Sequence, residues 1–136
     1  MDLDRALRVS AAGMQAQATR LRVVAENLAN RDSTAETAGG DPYRRRTVTF
    51  RNRMDREAGV ETVRVARIGT APGDFPVRYE PSHPAADARG YVRVPNVDSV
   101  IETMDMREAQ RTYAANLSVL EVTRGMITRT IEALRQ

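Results

Sequence analysis

At both ends of the chain, apolar residues recur at alternating three- and four-residue steps, and that spacing leaves few folds open. Near the start the series is Leu7, Ala11, Met14, Ala18, Leu21, Ala25 and Leu28. All seven fall on one stripe of an α-helix, because a helix turns once every 3.6 residues. Large side chains take one heptad position and Ala the other, so a partner helix can approach closely and interdigitate. The spacing predicts a helix from about Leu3 to Leu28 or Ala29, a rod of roughly 40 Å. Gly13 lies inside it and lowers helix propensity by about 1 kcal/mol, so packing has to hold this helix together.

The other end repeats the signal. Met106, Tyr113, Leu120, Ile127 and Leu134 stand at seven-residue spacing, with Leu117 and Ile131 between them. Gln110 and Arg124 interrupt the seam. Polar residues there either fix register and partner choice or mark positions left to solvent. Asn96 is the expected N-cap, because Val97, Val100, Ile101 and Met104 follow at helical spacing; Ser99 with Glu102 forms a competing capping box.

Between the helices, Asn30 to Asp41 is polar and contains Gly39-Gly40, which predicts a loop. Short alternating runs follow: Val48 and Phe50, Val63 and Val65, then Phe75, Val77 and Tyr79, then Val92 and Val94. They read as short strands. A one-residue slip of phase between Val65 and Ile68 suggests a bulge or a strand end. Pro72, Pro76, Pro81, Pro84 and Pro95 argue against a central sheet of long strands, since proline donates nothing to a ladder.

The expected fold class is mostly α with a small β insert. Long N- and C-terminal helices form an antiparallel coiled-coil pair, with a short irregular β region between them. Residues 1–30 and 96–136 would make the helical core and 31–95 the insert. Two helices that also carry apolar residues away from their mutual seam expose more than an isolated monomer usually does. The pattern therefore predicts a non-catalytic building block, an elongated protomer whose helices pair with those of neighbouring copies. The residues expected at that assembly interface are Leu7, Met14, Leu21 and Leu28 from the first helix, and Tyr113, Leu117, Leu120, Ile127, Ile131 and Leu134 from the last; Asn27 and Asn30 join them only through the resemblance given below.

Nothing in the residue inventory points to catalysis. The single His, His83, is boxed by prolines in Pro81-Ser82-His83-Pro84 and has no acid-base partner nearby, so it reads as part of a rigid turn. Cysteine is absent, which removes disulfides and thiolate metal sites, and no convergent ligand set or cofactor motif appears. Asp32, Asp41, Asp55, Asp74 and Asp87 fall in loops, where Asp side chains bond local backbone. All 21 basic residues are Arg, against 18 acids, for a net charge of +3. The interspersed signs and the 4% aromatic content disfavour nucleic-acid binding. A free-standing adaptor whose basic β insert binds nucleic acid or another acidic partner is the competing class. The run Arg44-Arg45-Arg46 opens a strand, so its side chains should alternate between faces as a protein contact or a solvated edge. No stretch is long and apolar enough to span a membrane, and the start lacks the pattern of a cleaved signal.

Several motifs resemble a known family. Ser10-Ala11-Ala12-Gly13-Met14 in the first helix, then Asn27-Leu28-Ala29-Asn30 with Ser33-Thr34, resemble the signature of flagellar axial proteins. Gly40-Asp41-Pro42-Tyr43-Arg44-Arg45, Pro81-Ser82-His83-Pro84 with Gly90-Tyr91-Val92, and Met104-Asp105-Met106 through Ala115-Asn116-Leu117 are similar to the proximal-rod members of that family, in the same order. The chain departs from the pattern at Asp41, inserted between glycine and proline, and lacks an aromatic residue near Leu3. The resemblance implies a structural subunit of the basal-body rod in the periplasm, exported without a cleaved signal peptide and transmitting torque. Its implied partners are copies of itself, other flagellar rod proteins, and proteins of the export-gate and inner-membrane-ring junction, with no nucleic acid, no membrane insertion and no cofactor.

Overall fold

The computed structural model describes residues 3–136. Two long helices flank a β region: α1 spans Leu3–Ala29, β1 Arg46–Asp55, β2 Val60–Thr70, β3 Val77–Tyr79, β4 Tyr91–Arg93, and α2 Ser99–Arg135. The strands form two separate two-stranded sheets, β1 with β2 and β3 with β4. The chain groups into two compact units. The first contains residues 1–21, 48–67 and 107–136; the second contains residues 22–47 and 68–106.

Within each unit the two helices run antiparallel. In the first, Arg20 reaches Glu108 at 3.4 Å and Gly13 lies against Asn116. In the second, Asn27 reaches Glu102. Within the first unit, the step forward from Gly13 to Arg20 along α1 is matched by a step back from Asn116 to Glu108 along α2. The buried stripe of α1 lies one residue before the apolar series in the sequence: Ser10, Gly13, Gln17, Val24 and Asn27 are buried, whereas Ala11, Ala18 and Ala25 are exposed. On α2 the facing residues are Glu102, Ala109, Asn116 and Thr123, again seven apart. Small and polar side chains line this seam because the backbones come close. A Cβ on Gly13 would stand 2.8 Å from the Asn116 amide.

The cap of α2 corrects the sequence reading. The helix starts at Ser99, and Asp98 is the residue that caps it. Its Oδ1 accepts the Val100 N–H at 2.9 Å, and its carbonyl accepts that of Glu102. Asn96 is engaged elsewhere, accepting the Arg45 N–H at 2.7 Å. At the other end of α1, Asn30 closes the helix: its side-chain amide donates to the Glu26 carbonyl at 2.8 Å and its Oδ1 accepts the Ser33 hydroxyl.

β1 and β2 are also longer than the alternation suggested. Arg51 to Met54 are exposed without interruption, and Met54 is the one apolar residue among them, so no alternation marks that half of β1. Their turn is set by Asp55, whose Oδ1 accepts the N–H groups of Glu57 and Ala58 while Gly59 takes a left-handed φ of 66°. β3 and β4 pair antiparallel with Tyr79 opposite Tyr91, their rings edge-to-face at 5.3 Å. Val92 is sealed from solvent, and Gly90 has no room for a side chain against the Tyr79 ring.

Candidate assembly interface

The second unit is organised around one buried amide. Asn27 is 1% exposed, and its side chain makes four hydrogen bonds. Its Nδ2 donates to the Arg46 carbonyl at 2.9 Å and to Glu102 Oε2 at 3.3 Å. Its Oδ1 accepts the Tyr43 hydroxyl at 2.7 Å and the Arg46 N–H at 2.9 Å. Each polar atom of the amide thus has two partners. Glu102 is fully buried, and Arg45 Nε supplies its counter-charge through Oε1. Burial of an unpaired carboxylate would be prohibitive; here one oxygen meets the guanidinium and the other meets the amide. Burial also pushes the Tyr43 phenol above its ordinary pKa, with Glu26 adding to the effect.

Arg44-Arg45-Arg46 is therefore not a solvated edge. Arg44 donates to the carbonyls of Ala71 and Gly73 and lies 4.2 Å from the centre of the Phe75 ring. Arg46 pairs with Glu26 at 2.7 Å. All three turn into the unit because it offers carbonyls, a ring and two carboxylates that need a cation. Asp41 pairs with Arg93 at 3.1 Å, and Arg93 also donates to the Gly40 carbonyl. His83 belongs to a turn: its Nδ1 accepts the Ala85 N–H, which leaves the hydrogen of the neutral ring on Nε2, 3.1 Å from the Thr34 hydroxyl. That contact ties the Pro-rich turn to the loop after α1.

The sequence-derived interface residues fall into three groups. Asn27 is buried and Asn30 half-buried, both used inside the second unit. Leu7, Met14, Leu21 and Leu28 on α1, with Tyr113, Leu120 and Ile127 on α2, are half-buried beside the helix seam. Leu117, Ile131 and Leu134 are exposed, Ile131 by 49% and Leu134 by 82%. Val119, Val122 and Met126 are exposed as well. Together with Leu3, Ala6, Ser118 and Thr123 they line an apolar groove of about 380 Å³ in the first unit. Composition alone could not separate Glu102 from other acids. Its place in the strict series Glu102, Ala109, Asn116, Thr123 was the available signal.

Chemistry is sparse around these surfaces. Among the described residues no group of acids and His could hold a metal ion, and no helix is long and apolar enough to cross a membrane.

Residues 7–35 match the family described as flagella basal body rod protein, and residues 88–133 match the flagellar basal body rod FlgEFG protein C-terminal family. The chain is 49% identical over 133 residues to the flagellar basal-body rod protein FlgC of Agrobacterium fabrum, covering 98% of this chain and 96% of the relative. It is 42% identical to the FlgC of Aquifex aeolicus, covering 98% of each chain. To the FlgC of Bacillus subtilis it is 35% identical, over 93% of this chain and 94% of the relative.

Proposed function

Because the chain belongs to the FlgC family of flagellar basal-body rod proteins, a structural rather than enzymatic family, we propose that its terminal helices assemble it into the rod's helical shaft. The carrying observation is the uncovered apolar surface of α2, where Leu117, Val119, Val122, Met126, Ile131 and Leu134 face solvent. Among the described residues α1 covers them only in part, Leu3 and Ala6 lining the groove with Val119, Val122 and Met126, which leaves apolar surface for neighbouring helices to bury. Burying one such side chain contributes about 1.5 to 3 kcal/mol, and an array repeats the contact in every subunit. Leu7, Met14, Leu21 and Leu28 supply the matching half-buried stripe on α1. The same packing would carry torque across the periplasm, because interdigitated helices resist shear. Copies of the chain, other rod proteins and the export-gate and inner-membrane-ring junction are the partners this reading requires, with export that needs no cleaved signal.

Ile131→Asp tests it. The side chain is half exposed in the free chain, so the substitution spares the fold, yet it places a charge in the proposed contact. In a deletion strain complemented with the variant, secreted protein should be normal and the amount in purified basal bodies should fall at least about tenfold. Arg129→Ala should incorporate within about twofold of wild type. Normal incorporation of Ile131→Asp would show that this face of α2 is not an assembly surface.

A further inference from the structure

Charge divides unequally between the two compact units. The first holds 13 Arg against 8 Asp and Glu, a formal +5; the second holds 8 against 10, a formal −2, and together they make the chain's +3. In the first unit the β1–β2 hairpin and the α2 segment each carry an excess of two, and on the hairpin three of the Arg stand close together. Arg51 and Arg53 point to one side of β1 by strand alternation, Arg56 is in the turn, and all three are exposed. No described residue pairs with their side chains. The two acids of the turn do not offset them, since Arg8 already reaches Asp55 and Glu57 at 3.4 Å each. Asp55 is further committed: the Ala58 N–H, ahead of Arg8, holds its carboxyl below the usual range. Glu61 is the one remaining acid of the hairpin.

The second unit presents the opposite sign on the loop after α1. Glu36 is exposed with no partner among the described residues, and Asp32 has only Arg31 at 3.6 Å, both side chains more than half exposed. We propose that the hairpin face of Arg51, Arg53 and Arg56 seats the Asp32–Glu36 loop of a second copy of this chain. Each copy carries both halves, so when its loop and its hairpin engage two different neighbours the contact is heterologous and propagates along an array. Guanidinium groups form forked hydrogen bonds with carboxylates, giving the contact an orientation that apolar helix packing alone does not specify. Nucleic acid fits the same face less well, because no exposed aromatic ring interleaves with the three Arg.

This inference rests on the self-assembly reading above and is tested apart from it by charge reversal and swap. In the complemented deletion strain, Arg51→Glu with Arg53→Glu and Arg56→Glu should lower incorporation into basal bodies at least about tenfold. Asp32→Arg with Glu36→Arg should do the same. A chain carrying all five changes restores the contact with inverted sign and should return to within about threefold of wild type. Circular dichroism and secreted yield establish that each variant folds and is exported. Where a reversal does not fold, the milder Arg53→Gln with Arg56→Gln and Asp32→Asn with Glu36→Gln replace it, each expected to lower incorporation about threefold. Normal incorporation of the hairpin variants would overturn the proposal. Loss without recovery in the swapped chain would overturn it too, because the partner would then be another protein or a nucleic acid. Ile131→Asp in the same preparations reports on the helix surface independently.

Discussion

Glu102 and Leu134 stand on the same helix, yet the carboxylate is sealed from water while the leucine is 82% exposed. Hydrophobicity by itself would order them the other way round. At Glu102 the chain brings up everything the group needs: Arg45 as counter-charge, the Asn27 amide as donor, and two helices close enough to exclude solvent. At Leu134 no other described part of the chain comes up to cover it. Burial in this molecule therefore follows the supply of partners, and the region with its hydrogen bonds complete is the region the chain can finish alone. The apolar end of α2 is where a second molecule has work to do.

The largest expected effect tests the first half of that contrast. Asn27→Ala removes the amide that holds Tyr43, the Arg46 peptide and Glu102 together, and leaves buried polar groups without partners. A loss of about 3 kcal/mol is expected, within the range for breaking a buried polar network. The midpoint of urea unfolding, followed by circular dichroism, measures it. Ile131→Asp in the same assay should stay within about 0.5 kcal/mol of wild type. Equal losses from the two variants would erase the distinction between a finished and an unfinished region.

A smaller effect is expected at the close approach of the helices. Gly13→Ala gains about 1 kcal/mol of helix propensity but puts a methyl 2.8 Å from the Asn116 amide, which also bonds the Thr112 carbonyl. Pushing Asn116 aside should outweigh the gain and leave the protein about 1 kcal/mol less stable. Asn116→Ala in the same background should recover most of that loss, because the obstructing amide is gone.

What the sequence made legible follows the same line. Heptad spacing located both helices and the antiparallel pairing, since apolar periodicity survives wherever a helix faces any partner, in the chain or outside it. The buried seam was harder to see. Ser10, Gly13, Gln17 and Asn27 are small or polar, and a search for apolar stripes settles on the neighbouring row of Leu and Met instead. The outer half of β1 left no alternation because both of its faces meet water. Asn96 has the chemistry of a cap and Val97, Val100, Ile101 and Met104 after it, but the Arg45 N–H claims its side chain and Asp98 takes the role. Of the hub, Asn27 and Asn30 were marked by family resemblance. Glu102 and the inward turn of Arg44-Arg45-Arg46 were not, because pairing across 57 residues leaves no local trace.

Tyr43→Phe probes the hub more gently. It removes the hydrogen bond to Asn27 Oδ1 and should lower stability by about 1 kcal/mol. Burial raises the folded phenol's pKa, so the native state prefers the protonated ring. That share of stability is present below the ordinary value near 10 and is lost as pH rises through the higher folded value. A titration of phenolate absorbance should show one late component in wild type that Tyr43→Phe deletes. If the deleted component titrates at the ordinary phenol value, the ring is not held in the interior as described.

The smallest effect lies at the unfinished end, where Gly125→Ala makes the same change as Gly13→Ala in the opposite surroundings. A Cβ at position 125 meets nothing within 4 Å, so the helix keeps the propensity gain and the protein should become about 0.5 to 1 kcal/mol more stable, read as a higher unfolding midpoint. Open space in the free chain is also what a neighbouring helix would enter, since glycine permits close backbone approach. If Met126 and Val122 are covered by another subunit, the added methyl should hinder that approach while stabilising the isolated protein. Incorporation into basal bodies should then fall about twofold to fivefold as the midpoint rises. A variant that is more stable and incorporates normally would take residue 125 out of the contact and confine the assembly surface of α2 to the row of Leu117, Leu120, Ile127, Ile131 and Leu134.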